Sequence, residues 1–162
     1  MKTLNFDSDN LGGVIRLFAI PAVSFLRIRE DYVSGLKYPE LRKRELIIDI
    51  PVYADDSFSI DEEHKLTNQG DTYDTAITGI IPKMCRVNAT TLEILERGEW
   101  MVLTQDSNGE VRLTGSPEHL LKFTCKKSTG KTKAARNGIE FSFAATLPQT
   151  SVYVEVPDFS TI

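Results

Sequence analysis

The chain has few of the residues from which enzymes and metalloproteins build reactive sites. Its 162 residues include only two cysteines, Cys85 and Cys125, and two histidines, His64 and His119. These four residues lack the close pairs that are typical of zinc sites. A catalytic triad needs a base held by a carboxylate next to a nucleophile on a sharp turn, and no G-x-S-x-G elbow occurs. We therefore expect no enzyme activity, no metal ion and no cofactor.

Long apolar runs and an excess of positive charge are also missing. The most apolar stretch, residues 13–28, is interrupted by Arg16, Pro21, Ser24 and Arg27, so it predicts neither a signal peptide nor a membrane span. Without a secretion signal, a Cys85–Cys125 disulfide is not expected. The net charge of -4 argues against nucleic acid as the main partner, because phosphate binding needs a positive field or a strongly basic face.

Two short motifs resemble ligand sites but are incomplete. The acidic run that includes Asp61, Glu62 and Glu63 has no glycine for the sharp turn of a calcium loop, so a charged surface segment is the better interpretation. Residues 128–132 read S-T-G-K-T, like the end of a phosphate-binding loop, but Cys125 stands where that motif requires its first glycine. Neither motif predicts a cofactor.

The dominant pattern is an alternation of apolar and polar residues, which predicts β-strands. The segments with this pattern are residues 13–28 (two strands around Pro21 or one kinked edge strand), 45–52, 57–60, the second half of 64–84, 99–104, 111–114, 120–125, 139–145 and 151–156. Residues 29–44 contain Gly35 and Pro39 and predict a loop, with a helical turn after Pro39. The strongest local signal is a β-hairpin over residues 99–115, with an Asn-Gly pair in its turn.

One helix is predicted over about residues 90–97. Thr90 and Glu93 match the capping box that begins a helix, and Gly98 is a natural stop. Leu92, Ile94 and Leu95 form a short apolar stripe. A helix this short is not stable alone in water, so we expect the stripe to pack on a sheet.

Together these elements predict a mainly β fold, either a β-sandwich or a partly open β-barrel, with the short α-helix flanking it. We expect one domain over residues 1–162, with an extended N-terminal arm (1–12) and a loose C-terminal tail (157–162). Four aromatic residues on alternating positions are expected in the core: Trp100, Phe123, Phe141 and Phe143.

One predicted hairpin loop, residues 126–138, is strongly cationic. Its positive residues, with no acidic residue among them, are Lys126, Lys127, Lys131, Lys133 and Arg136. Single-stranded nucleic acid would need interleaved aromatic residues for stacking, and the loop has none. Two interpretations remain: a solvated, mobile loop, or a cationic arm that meets an acidic face of a neighbouring subunit.

Residues 70–145 combine a strand, a short helix, a Trp-bearing hairpin with a D-x-N-G turn, and two closing strands around a T-G loop. The segments that carry this order are residues 70–75, 99–109, 112–116, 128–130 and 136–143. In this order they resemble structural proteins of phage tails encoded in prophages, of the tail-tube or baseplate type. The resemblance implies rings around a tail axis, loops and termini that reach adjacent protomers, and no catalytic residues.

These observations predict a non-enzymatic structural subunit, a tube, baseplate or tail-completion component of a phage tail. Its partners would be copies of itself or other tail proteins, in the host cytoplasm before assembly and in the virion tail afterwards, without membrane contact. Strand edges suit such assembly, although a lone β-domain with protected edges has the same pattern. The alternative is a ligand- or carbohydrate-binding β-sandwich, which would use exposed aromatics such as Tyr32, Tyr38, Tyr53 and Tyr73.

Overall fold

β-Strands dominate the computed structural model, which describes residues 13–52, 58–68, 70–82, 86–128, 138–156 and 159. The strands are β1 (Val14–Pro21), β2 (Phe25–Glu30), β3 (Lys37–Leu41), β4 (Ile48–Ile50), β5 (Ser59–Thr67), β6 (Gly70–Pro82), β7 (Glu99–Asp106), β8 (Val111–Thr114), β9 (Leu121–Ser128), β10 (Gly138–Leu147) and β11 (Val152–Tyr153). Within these ranges there is one α-helix, α1 (Arg86–Arg97), and the predicted mainly β fold is confirmed.

Nine strands form one antiparallel sheet in the order β11-β8-β7-β9-β10-β6-β5, and β1 pairs with the remaining edge of β7 and with β4. β2 and β3 form a separate two-stranded ribbon. The sheets do not close into a barrel, which is consistent with the predicted β-sandwich with a short helix.

The large sheet folds over itself into two layers. We call β4, β1, β7, β8 and β11 the first layer, and β9, β10, β6 and β5 the second layer. They join where Leu121 at the start of β9 pairs with Trp100 at the start of β7. Apolar residues from both layers and from α1 form one core, including Leu17, Ile77 and Phe143. The layers therefore face each other across a shared interior, as in a sandwich.

β7 lies at the centre of the molecule and is buried on both faces. Trp100 and Val102 point into the core between the layers, whereas Met101 and Leu103 belong to a second core. That second core is covered by the β2–β3 ribbon, through Phe25 among others, and by the C-terminal segment. A strand buried on both faces has a continuous apolar sequence, and W-M-V-L fits this rule.

The helix begins four residues earlier than predicted, at Arg86, so Thr90 lies inside it and the capping-box interpretation is wrong. Its end is as predicted, because the Gly98 amide donates to the carbonyls of Ile94 (3.2 Å) and Leu95 (3.3 Å). Leu92 and Leu95 are buried, as expected, but Ile94 is exposed.

Two further predictions were wrong. The predicted loop 29–44 contains β3, which tolerates Pro39 because the outer edge of a two-stranded ribbon needs no amide donor there. A short 3-10 turn, Arg44–Leu46, follows it. His64 and its charged neighbours form β5 rather than a solvated turn, since an edge strand with exposed residues accepts charged side chains.

A partly buried polar cluster ties the second layer to the first. The Glu62 carboxylate on β5 accepts hydrogen bonds from the Ser151 amide (2.9 Å), the Ser151 hydroxyl and the Thr150 hydroxyl (2.8 Å). The Ser151 hydroxyl also lies 2.8 Å from that of Thr114 on β8. Burial opposes ionisation of Glu62, but these hydrogen bonds outweigh it and place the pKa of this carboxyl below its ordinary value.

Phe159, in the predicted loose tail, packs on the first layer. Its ring stacks on Phe18 with 5.8 Å between centroids, and the Arg16 guanidinium lies 4.7 Å from the same ring. The tail therefore has an apolar contact with the second core at this residue. The predicted N-terminal arm and the other tail residues lie outside the described residues.

Candidate assembly surfaces

The two histidines lie on the surface, in separate parts of the fold. His64 on β5 has its Nε2 atom 3.3 Å from Asp71 and its ring beside Tyr73. His119 closes a tight turn with Ser116. Within the described ranges, no three side chains from His, Cys, Asp and Glu come together as metal ligands. No helix in that same part of the chain has the length and apolar character needed to cross a membrane.

Two of the five cationic candidates, Lys126 and Lys127, lie on β9 and not in a loop. Pairing with β10 extends β9 to Ser128, which lies opposite Gly138. Lys127 forms a 2.9 Å ion pair with Glu96 of α1, and Lys126 lies 3.9 Å from Glu140 on β10. Both lysines are exposed, but their charges are partly neutralised within the chain. The other three, Lys131, Lys133 and Arg136, fall outside the described residues.

Cys125 is a free, half-buried cysteine. Its thiol donates a 3.0 Å hydrogen bond to Glu96, which also pairs with Lys127. Burial, followed by the Glu96 hydrogen bond, raises the pKa of the Cys125 thiol to about 11. The hydrogen bonds from Cys125 and Lys127 lower the pKa of Glu96. The three side chains fasten α1 to β9.

The tip of the β2–β3 ribbon displays two apolar side chains that sequence analysis left in a loop. Tyr32 is 101% exposed and Val33 is 96% exposed. The turn that carries them is well hydrogen-bonded around Asp31, whose carboxylate accepts from the Val33 amide and the Ser34 hydroxyl (both 2.9 Å). These bonds lower the pKa of Asp31. The signals in the sequence were the expected exposure of Tyr32 and the turn composition, which includes Gly35. In the structure Gly35 has a φ of +71°.

The base of the ribbon is anchored, so the tip projects from a fixed support. The Glu155 amide donates to the Lys37 carbonyl (2.7 Å), and Phe25, Ile28 and Leu41 pack on the second core. An apolar side chain that is fully exposed on an ordered turn gains nothing from folding of the monomer. Tyrosine is enriched among the residues that dominate binding at protein interfaces. The tip is therefore a candidate contact with another protein.

The edge of β5 is a second candidate contact. β5 ends the strand order of the large sheet, and its nine residues pair on one side with β6 only. In the part of the chain that the structure describes, its other edge has no strand partner. Near the end of β5, Leu66 is 82% exposed. Unpaired backbone groups of this kind form a template for a further strand.

An open groove of about 930 Å³ crosses β5, β6 and β10. Carboxylates line it, among them Asp61, Glu63 and Asp74. Asp74 is already engaged, since it accepts from Lys65 and from Thr146 (both 2.6 Å), and these bonds lower its pKa. The groove is thus an acidic surface next to the edge of β5.

Comparison of the chain with protein-family models, curated proteins and solved structures found no match.

Proposed function

We propose that the chain is a non-enzymatic structural subunit that assembles with other protein subunits in a phage tail, as a tube, baseplate or tail-completion component. The observation that carries this proposal is the ribbon tip, where Tyr32 and Val33 are almost fully exposed on an ordered turn. The order of motifs in residues 70–145, which resembles phage tail proteins, supplies the choice of particle. Its partners would be copies of itself or other tail proteins, first in the host cytoplasm and then in the virion tail.

The alternative, a carbohydrate-binding sandwich, receives less support from the aromatic residues. Trp100, Phe123, Phe141 and Phe143 are all buried, so their rings are not available to stack on a sugar. Tyr38 and Tyr73 are partly buried, and their rings lie beside Arg29 and His64 respectively. Tyr53 lies outside the described residues.

The test is light scattering of the purified chain over a wide concentration range, together with pull-down of tail proteins from a phage lysate. We expect a mass above that of the monomer or co-purification of identified tail proteins. The double variant Tyr32→Ser/Val33→Ser should weaken this association without loss of folding, because exposed side chains contribute little to stability.

The matched control is Ile94→Ser, which removes an exposed apolar side chain from α1. It should leave association unchanged. A chain that stays monomeric at every concentration and captures no tail protein would contradict the proposed function. Equal association of the wild type and the double variant would show that the ribbon tip is not a contact in this assembly.

A further inference from the structure

On β5, whose outer edge has no strand partner among the described residues, the side chains follow a graded order. From residue 60 to residue 66 the sequence is I-D-E-E-H-K-L, with an apolar residue at each end, acidic residues in the first half and basic residues in the second. Charged side chains often protect an edge strand from pairing. Here, however, they are segregated by sign along the strand, which makes the edge complementary to an antiparallel copy of itself.

The backbone of β5 fixes which residues face the open edge. The Thr72 hydroxyl of β6 reaches the Lys65 carbonyl at 3.4 Å, so the backbone groups of Lys65 point towards β6. Neighbouring residues of a strand direct their backbone groups to opposite sides. The amides and carbonyls of Ile60, Glu62, His64 and Leu66 therefore face outward.

We infer that two copies of the chain pair antiparallel through β5, with a two-fold axis at Glu63, so that the second layers of both copies form one continuous sheet. This inference rests on the proposed function and names one of its contacts. The axis makes the contact self-complementary, as in most dimers. Strand addition of this kind obtains its affinity from backbone hydrogen bonds and its register from side chains.

In this register every pair except the central one is favourable. Ile60 lies opposite the second copy's Leu66, Asp61 opposite Lys65, and Glu62 opposite His64. The contact thereby gives exposed Leu66 an apolar neighbour. Facing pairs of opposite charge or of apolar residues stabilise antiparallel strands, whereas facing like charges destabilise them.

Other positions of the two-fold axis along β5 give unfavourable facing pairs. An axis at Glu62 would place Asp61 opposite Glu63 and Ile60 opposite His64. An axis at His64 would place Glu62 opposite Leu66. Only the axis at Glu63 pairs both apolar ends while placing Asp61 opposite Lys65 and Glu62 opposite His64, at the cost of one facing pair of Glu63 carboxylates. That pair is flanked by the two Lys65 ammonium groups, each of which lies 3.4 Å from Glu63 within its own chain.

Disulfide trapping tests the axis directly. We would introduce Glu63→Cys into the full chain with Cys85→Ser and Cys125→Ser, and oxidise it mildly. Residue 63 and its symmetry mate form a pair without mutual hydrogen bonds, with about 4.5 Å between Cα atoms, which a disulfide can span. We expect a covalent dimer on a non-reducing gel.

The matched control is Asp61→Cys in the same background. It is on the same strand and the same face, but its symmetry mate would lie about 13 Å away along the strands. It should give at least about tenfold less covalent dimer, since the thiols cannot meet. Equal cross-linking of the two variants, or none with Glu63→Cys, would overturn the inference.

Charge exchange gives a second, non-covalent test by sedimentation. Lys65→Asp should weaken dimerisation by roughly tenfold, because it replaces two attractive pairs by two repulsive ones. Adding Asp61→Lys should restore it, although the ion pair between Lys65 and Asp74 stays lost in both variants. Failure of the double variant to recover would count against this register.

The two proposals can fail separately. If scattering shows assembly but Glu63→Cys forms no covalent dimer, the β5 contact is wrong and the structural role stands. If the chain neither assembles with itself nor binds tail proteins, the proposed function is wrong.

Discussion

The indole of Trp100 contacts the end of α1 and Gly98 and lies in the core between the two layers. Its ring is 4% exposed, and its Nε1–H donates at 3.0 Å to the Leu95 carbonyl in the last turn of α1, which also accepts from the Gly98 amide. The ring lies so close to Gly98 that a Cβ atom there would approach it to within 2.6 Å. Packing of the Trp100 ring therefore requires a glycine at position 98, and the same residue ends the helix.

We expect Gly98→Ala to destabilise the protein by about 1 to 3 kcal/mol, because the added methyl group forces the Trp100 ring out of a filled site. Urea unfolding monitored by the single tryptophan would measure this. Glu99→Ala is the control: its side chain is exposed and 4.0 Å from Lys122, an arrangement that contributes little. An unchanged unfolding midpoint for Gly98→Ala would show that the ring can move freely.

The Cys125 thiol should react slowly at neutral pH. Since its pKa is raised to about 11, the thiolate fraction, and with it the rate of alkylation, should keep rising well above pH 9. Iodoacetamide labelling of the Cys85→Ser variant against pH measures this. Glu96→Ala should move the profile to lower pH by removing the hydrogen bond that favours the thiol, whereas Glu93→Ala should not. A labelling rate of Cys85→Ser that levels off near pH 9 would contradict the proposed environment.

Among the elements, those with strong local patterns were predictable. The β7–β8 hairpin follows from its alternation and its turn, in which the Asp106 carboxylate accepts from the amides of Asn108 and Glu110. The early start of α1 was not predictable from the Thr90–Glu93 box, since residues 86–89 contain neither Pro nor Gly and can continue the helix backwards. β3 and the part of β5 after Ile60 were missed because edge strands accept proline and charge, which also mark loops.

The candidate surfaces were less predictable than the core. The exposure of Lys126 and Lys127 could be expected from composition, but their ion pairs with Glu140 and Glu96 depend on strand register and helix placement. The ribbon tip was missed together with β3, because an exposed Tyr32 in a loop has no special meaning until the loop is known to be a fixed turn. The open edge of β5 is a property of sheet order, which no local pattern encodes.

The segment that connects β10 to β11 is attached to β5 through Glu62, so the stability of the protein should depend on this residue. We expect Glu62→Gln to cost about 1 to 3 kcal/mol of stability, because the buried Ser151 loses a charged acceptor. The measurement is urea unfolding at neutral pH, with Glu118→Gln as the exposed control. Equal stability of the two variants would mean that the cluster does not hold the layers together.

The same cluster predicts a pH dependence. A carboxyl whose pKa is lower in the folded state than in the unfolded state stabilises the protein above the unfolded value, near 4.3 for glutamate. This contribution is lost as the pH falls through the lower folded value. The stability difference between wild type and Glu62→Gln should therefore shrink on acidification below about pH 4 and be largest near neutrality. A difference that stays constant down to pH 2 would oppose this.

At the scale of the whole molecule, the two cores share the first layer through β1 and β7. If copies pair through β5, only the folded chain associates, and the melting temperature should rise with protein concentration. We expect an increase of at least about 3 °C over a hundredfold range. Differential scanning fluorimetry would measure it, and Lys65→Asp should show a flatter dependence. A constant melting temperature in a sample that sedimentation shows to dimerise would contradict coupling between folding and pairing.

The pairing of β1 with β7 sets the order in which the polypeptide can fold as it leaves the ribosome. One edge of β1 pairs with β4, where Leu17 lies opposite Ile50, but its other edge stays unpaired until β7 is made, where Thr104 lies opposite Leu17. At about 5 to 20 residues per second, synthesis of the chain between β4 and β7 takes several seconds, and the apolar segment around Phe18 lacks its β7 partner during this time. During this interval the edge of β1 that later pairs with β7 is open, and an unpaired apolar strand edge is a template for pairing with another chain.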